Sequence, residues 1–473
     1  MNQSNMAALC MWLTMFALNV CSSSATFLET LVMSNGSVVE VHYYSTADDA
    51  RQQPIRLQAE FLRERCTSPL WVMPSTNQQY LNPHEFETPL VVSSSVDSRR
   101  QLQITFTDGH KSTFDLAKLE RELRGERVMV QVQEIEEPEP ALWDASMQGA
   151  VHVVSFEDLQ SDEGTRYSAL TQLLGKGIIV VSGVPKEEGQ CVKMANFLST
   201  LRSTEWGDAF NVRTSSDGDK EDLAYSASAI GMHTDNAYRD PTPDFQLLHA
   251  IDHCTCPAGT DLASSPAVNC AECTVFNTFA DGFHVAERLA QEDPRAFELL
   301  STIPVWFENN GGDNTSALLF EVPHFQLHPQ HSGLEGESGC TGGGCLRAIR
   351  FSFKSGGYAP AHFSPEVLGE FYAAKRKFSA MIHSKEQKIS LQLGAGDMAI
   401  FDNTRVLHAR SSIAQTDGNR YLQGCYLNRD GIKLHHEKLR RRAAEVEGHS
   451  AAEGTFRDYF EPVSPAEKAS LGC

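Results

Sequence analysis

Two stretches far apart in the chain carry residue types that could do chemistry together: Gly231-Met232-His233-Thr234-Asp235-Asn236-Ala237-Tyr238 and Asp402-Asn403-Thr404-Arg405-Val406-Leu407-His408. The imidazoles of His233 and His408 with the carboxylate of Asp235 could hold one face of an iron ion and leave the opposite face open, a donor set suited to oxygen activation. A chain with 17 histidines in 473 residues produces a His-x-Asp by chance, so that pair alone means little. Its surroundings add weight. The apolar run Phe245-Gln246-Leu247-Leu248-His249-Ala250-Ile251 follows the first stretch, and Gly396-Asp397-Met398-Ala399-Ile400-Phe401 leads into the second, as for ligands on turns beside buried strands.

Holding such a set in place requires a β framework, and the sequence predicts one in two parts. From about residue 27 to 130, alternating segments such as Val38-Val39-Glu40-Val41-His42-Tyr43-Tyr44 and Leu102-Gln103-Ile104-Thr105-Phe106 predict a small β-rich domain. The acidic, proline-bearing run Glu134-Ile135-Glu136-Glu137-Pro138-Glu139-Pro140 reads as a linker over 131–149. The second domain, 150–440, begins with a helix over Tyr167 to Leu174 feeding the buried strand Ile178-Ile179-Val180-Val181. Further helices are predicted around 192–201, over 285–300 with a break at Pro294, and from Pro365 to His383, all packing outside a β core. Residues 309–345, rich in Gly and Ser, read as a long insertion loop, His435 and His436 as surface residues, and 445–473 as a flexible tail.

A net charge of −21 and a pI near 5.2 argue against a nucleic-acid partner and remain compatible with a small cationic substrate. Residues 1–25 hold an apolar run followed by Cys21-Ser22-Ser23-Ser24-Ala25. With no Lys or Arg ahead of it, a cleaved signal peptide and a merely apolar leader both stay open, and the run is too short for a stable membrane span. Twelve cysteines are too few for a disulfide scaffold of this length. Four of them, Cys254, Cys256, Cys270 and Cys273, cluster in one insertion as C-x-C and C-x-x-C, where zinc, two disulfides or free thiols are equally open.

Taken with Leu223-Ala224-Tyr225, Asp281-Gly282-Phe283, Ile349-Arg350-Phe351 and Gly424-Cys425-Tyr426-Leu427-Asn428-Arg429-Asp430, the order and spacing of these motifs resemble the γ-butyrobetaine and trimethyllysine dioxygenases of the TauD/TfdA-like group. The resemblance implies a double-stranded β-helix, or jelly roll, with His233, Asp235 and His408 as catalytic Fe(II) ligands. It also implies 2-oxoglutarate as cosubstrate, held by Arg420, ascorbate as reductant and O2 as co-reactant. By the same resemblance a cage of Trp206, Phe210, Tyr225 and Tyr426 would receive a trimethylammonium group, which cannot donate hydrogen bonds and is recognised by ring faces. The leaning is to hydroxylation of γ-butyrobetaine to carnitine. Trimethyllysine hydroxylation and a degenerate dioxygenase fold acting as a binding protein are the alternatives.

Further expectations follow from the resemblance. Asp252 stands where some relatives carry a lysine near the cosubstrate, so its charge would repel a dicarboxylate. The motifs around Phe61-Leu62-Arg63-Glu64-Arg65-Cys66 and Phe106-Thr107-Asp108-Gly109-His110 resemble the zinc-bearing N-terminal domain of that group, but only Cys66 and His110 could serve as ligands, and a structural zinc site takes four. Loss of that metal is therefore expected. A homodimer formed through this domain, and a cytoplasmic or mitochondrial location, are family expectations beside the secretory alternative raised by residues 1–25.

Overall fold

The structure, a computed structural model, describes residues 26–45, 54–66, 68, 72–73, 78–79, 89–123, 135, 137–213, 228–252, 275–309, 317–328, 346–413 and 420–446. The apolar leader 1–25, Tyr225, all four clustered cysteines and residues 447–473 lie outside that set. The chain divides into two units at Glu134/Ile135.

The first unit contains two three-stranded antiparallel sheets, Thr26–Met33 with Val38–Ser45 and Ile55–Gln58, and Val91–Val96 with Gln101–Phe106 and Lys111–Asp115. Period-two patterning explains their core: Leu102, Ile104 and Phe106 all point inward, where they join Val39, Val41 and Leu57. Cys66 Sγ lies 2.9 Å from His110 Nε2, so the two residues singled out in the sequence do meet.

In the second unit two antiparallel sheets build the jelly roll. The larger runs in the order Phe210–Arg213, Tyr421–Leu427, Phe245–Asp252, Met398–Asp402, Ile178–Ser182, His152–Ser155, its last pair parallel. The smaller runs Ile230–His233, Val406–Arg410, Asn277–Asp281, Lys388–Leu391. Leu248, Ala250, Phe401 and Leu422 of one sheet meet Phe279, Ile389, Leu391 and Val406 of the other in a common interior. The reverse face of the large sheet, with Phe245, Leu247, Met398 and Ile400, is covered by the helices Glu163–Lys176, Gln190–Leu198 and Arg429–Val446. Coverage on both faces explains why Phe245-Gln246-Leu247-Leu248-His249-Ala250 is continuously buried rather than alternating.

The predicted break at Pro294 separates the helices Gly282–Glu292 and Pro294–Thr302, with the Asp293 carboxylate capping the second by accepting from Ala296 N. The helix Pro365–His383 has its predicted bounds. Three readings change. Much of the expected linker 131–149 is docked: Trp143 is buried and its Nε1 donates to Lys176 O at 2.7 Å. The stretch 309–345 contains the strands Leu318–Val322 and Phe325–Leu327, and Phe325 is fully buried because its ring packs against Phe297 and Phe378 of two helices. His436 is buried rather than on the surface, stacked on Tyr167 with ring centroids 4.9 Å apart, and His435 is half-buried with its Nδ1 3.0 Å from Leu198 O.

One buried ion pair ties these parts together. Arg405 Nη2 and Nε donate to Asp281 Oδ2 and Oδ1 at 2.7 and 3.0 Å, while Nη1 and Nη2 also reach Gly175 O and Ala141 O at 2.8 and 2.9 Å. Asp281 Oδ1 in turn accepts from Phe283 N, and Oδ2 from Trp143 N. Replacing Arg405 with Met strands the Asp281 charge in the interior. We expect Arg405→Met to lose about 3–5 kcal/mol of stability, read as a lowered urea midpoint.

Candidate active site

His233 closes the strand Ile230–His233 and His408 lies in Val406–Arg410; the antiparallel register sets them directly opposite, with ring centroids 4.2 Å apart. Asp235 follows two residues later in the turn. Asn403 clamps that turn, its Oδ1 accepting from Asp235 N at 2.8 Å and its Nδ2 donating to Asp235 O at 2.9 Å. Asp235 Oδ1 thereby lies 3.3 Å from His233 Nε2, and Oδ2 lies 3.7 Å from His408 Nε2.

One donor atom from each of the three residues falls within 4.8 Å of the others, a spacing that could hold a metal ion. Gly231 O, 2.8 Å from His233 Nδ1, takes the proton there and leaves the Nε2 lone pair facing Asp235. Burial, followed by the neighbouring His233, lowers the pKa of His408 to about 3, so its imidazole is neutral and able to ligate. For Asp235 burial acts in the raising direction, but Lys354 and then the two histidines hold the carboxyl well below its ordinary value. Gln246 Nε2 and Tyr426 OH donate to Oδ2 at 2.9 and 3.2 Å. Burial, then the Asp235 charge, pushes the Tyr426 phenol well up, which keeps its proton in place for that bond. The donor set, its tautomers and its supporting bonds fit a divalent ion.

Beside Asp235 opens a cleft lined by Trp206, Phe210, Val212, Asn236, Tyr238, Glu308, Asn309, Lys354, Ser355 and Tyr426. Of the four cage candidates Trp206, Phe210 and Tyr426 line it, while Tyr225 lies outside the described residues. The Phe210 and Tyr426 rings stand 5.3 Å apart and tilted by 30°. Phe210 pairs with Gly424 in register, and a Cβ on Gly424 would come within 2.1 Å of its Cζ, so glycine is what admits the ring. Tyr238 is an aromatic wall that the sequence reading passed over, although it stands in the metal motif; its hydroxyl has Asn236 Oδ1 at 2.8 Å and Glu205 Oε1 at 3.0 Å as acceptors for its one proton. Lys354 was passed over too. No motif marks it; the fold alone brings its Nζ to 3.3 Å from Asp235 Oδ1.

Arg420 is buried, and its Nε and Nη1 have no hydrogen-bond partner among the described residues. Burial and the adjacent Arg410 lower its pKa to about 9, so it stays cationic at neutral pH. A buried guanidinium with unmatched donors is a site for an anion. Asp252 is exposed at the end of its strand, paired in register with Tyr421. Arg420 is not paired with it among the described contacts.

These two facing sheets with a His-Asp-His set at one end define a non-haem iron oxygenase architecture. Comparison agrees. The sequence model described as "Taurine catabolism dioxygenase TauD, TfdA family" matches residues 136–426, more than half of the chain, and the protein belongs to that family. Among curated relatives, the γ-butyrobetaine dioxygenase of Pseudomonas sp. (strain AK-1) is 29% identical over 376 residues, covering 79% of this chain and 87% of the relative. The human γ-butyrobetaine dioxygenase is 25% identical, covering 81% and 91%. The mitochondrial trimethyllysine dioxygenase of Bos taurus is 27% identical, covering 80% and 81%. The chain is an iron(II)- and 2-oxoglutarate-dependent dioxygenase.

Because Asn403 holds the turn that presents Asp235, Asn403→Ala should weaken metal binding by about 10–100-fold, as measured by anaerobic Fe(II) titration. Unchanged affinity would show that the turn is held by other bonds.

Proposed function

We propose that this enzyme hydroxylates a small trimethylammonium carboxylate, γ-butyrobetaine in the first instance. The observation that carries the reading is the cleft beside Asp235, whose walls Trp206, Phe210, Tyr238 and Tyr426 offer ring faces to a cation that cannot donate hydrogen bonds. The overall reaction balances as substrate C–H, 2-oxoglutarate and O2 going to substrate C–OH, succinate and CO2. His233, Asp235 and His408 would hold the iron, which would couple reduction of O2, the oxidant, to the two-electron oxidation of 2-oxoglutarate and of the substrate C–H bond.

The protein's own residues do the rest. Arg420, with Arg410 beside it, would take the distal carboxylate of 2-oxoglutarate, matching its unpaired donors to two oxygens. Gln246 and Tyr426 orient Asp235, so that one carboxylate is steered by two donors. The aromatic walls exclude water from the quaternary head and leave the chain of the substrate lying past the metal. Trimethyllysine is the second reading. It is favoured by Glu308 in the same cleft, a carboxylate able to meet an α-ammonium group that γ-butyrobetaine lacks.

The test is succinate formation with Fe(II), ascorbate and 2-oxoglutarate, comparing γ-butyrobetaine, trimethyllysine and no added substrate, with His233→Ala as the blank. Stimulation by γ-butyrobetaine that disappears in the blank supports the reading; stimulation by trimethyllysine alone moves the assignment to the second. Silence with both, in iron-loaded protein, rejects the trimethylammonium class. Arg420→Met should raise the KM for 2-oxoglutarate by about 10–100-fold, since a charge-assisted pair contributes about 1.5–3 kcal/mol. Gly424→Ala should displace the Phe210 ring and weaken substrate binding about tenfold with iron content unchanged, as fits the loss of one cation–π wall.

A further inference from the structure

We infer that Lys354 anchors the carboxylate end of the substrate, and so makes the cleft selective for zwitterions over plain quaternary amines. The inference rests on reading the cleft as a trimethylammonium site and names the second half of the ligand. Lys354 is the one Lys or Arg among the described residues lining the cleft, on the wall that also presents Ser355 and Asn309. Its side chain is largely buried, at 17% exposure, and its Nζ lies 3.3 Å from Asp235 Oδ1. That same oxygen lies 3.3 Å from His233 Nε2.

Two consequences follow from charge. A divalent ion held by His233, Asp235 and His408 satisfies the Asp235 carboxylate and brings positive charge next to the Lys354 ammonium. The ammonium then favours an additional anion in a cleft where charge is poorly screened. A bare quaternary amine entering the cleft offers Lys354 no anion; a zwitterion brings a carboxylate for Lys354 and a quaternary head for Trp206 and Phe210. Because the cation repels the head and attracts the carboxylate, it also sets which way round the substrate lies. The carbons between the two anchors are then held beside Asp235, where a hydrogen must be removed. Arg420, assigned to 2-oxoglutarate, does not line this cleft, so the two carboxylates have separate cations.

The test compares γ-butyrobetaine with butyltrimethylammonium, which has the same quaternary head and lacks the carboxylate, on the wild type, Lys354→Met and Lys354→Arg. Binding is measured by calorimetry on enzyme loaded with Fe(II) and 2-oxoglutarate without oxygen, with iron content and the 2-oxoglutarate affinity determined in parallel. We expect the wild type to prefer γ-butyrobetaine about tenfold or more, Lys354→Met to erase that preference by weakening γ-butyrobetaine alone, and Lys354→Arg to retain most of it. Equal weakening of both ligands, unchanged preference in Lys354→Met, or loss of iron or of 2-oxoglutarate binding in that variant would overturn the inference, the last by assigning Lys354 to the metal centre or the cosubstrate. If neither compound binds the wild type, the trimethylammonium reading itself fails, and this inference with it.

Discussion

The Arg405–Asp281 pair is the contact on which the geometry of the centre depends. Both side chains are almost wholly buried, and neither charge is tolerable there without the other. Arg405 stands three residues before His408; Asp281 ends the strand beside it and caps the helix Gly282–Glu292. By also binding Gly175 O and Ala141 O, the guanidinium fixes the end of the helix Glu163–Lys176 and the docked entry segment to the same point. The close approach leaves no spare volume: a Cβ on Gly282 would fall 2.6 Å from Leu407 Cδ1 and 2.7 Å from Arg405 O. A rigid base under Val406–Arg410 is what allows one imidazole on that strand to be aimed.

The charges around the metal set are held in the states that an incoming cation and an incoming anion require. Asp235 is kept ionised and His408 neutral, the states a divalent ion requires. Arg420 is kept cationic and, among the described residues, under-satisfied. A fold that only had to be stable would pair or remove such a guanidinium, because a buried donor without an acceptor opposes folding. Its presence favours an active enzyme over a scaffold that has lost its chemistry.

Aromatic walls and polar supports share the same strands. On Tyr421–Leu427, Tyr426 faces the metal set while Cys425, its neighbour, faces the helices, packed 2.9 Å from Cys191 Sγ. One strand thus joins the catalytic interior to the helical layer, and Gly424, two residues before Tyr426, admits the Phe210 ring. Glu205 links Trp206's loop to Tyr238, Arg239 and Asn309, so the wall that Trp206 contributes is tied to the turn that carries Asp235.

What the sequence by itself determined was local. The apolar spacing of Pro365–His383, the proline that divides Gly282–Glu292 from Pro294–Thr302, and the alternation in Gln101–Phe106 each depend on a few neighbouring residues, so they were legible. The metal set was legible through its motif and its resemblance to a known group. The tertiary structure decided what depends on register and on burial between distant segments. It set His233 opposite His408 across two strands, turned Asp252 to solvent, buried His436 against Tyr167, and brought Tyr238 and Lys354 into the cleft. No periodicity records such pairings, because strand partners lie as far apart in the chain as residues 233 and 408, and a lysine's position in a linear sequence does not say which carboxylate it will face.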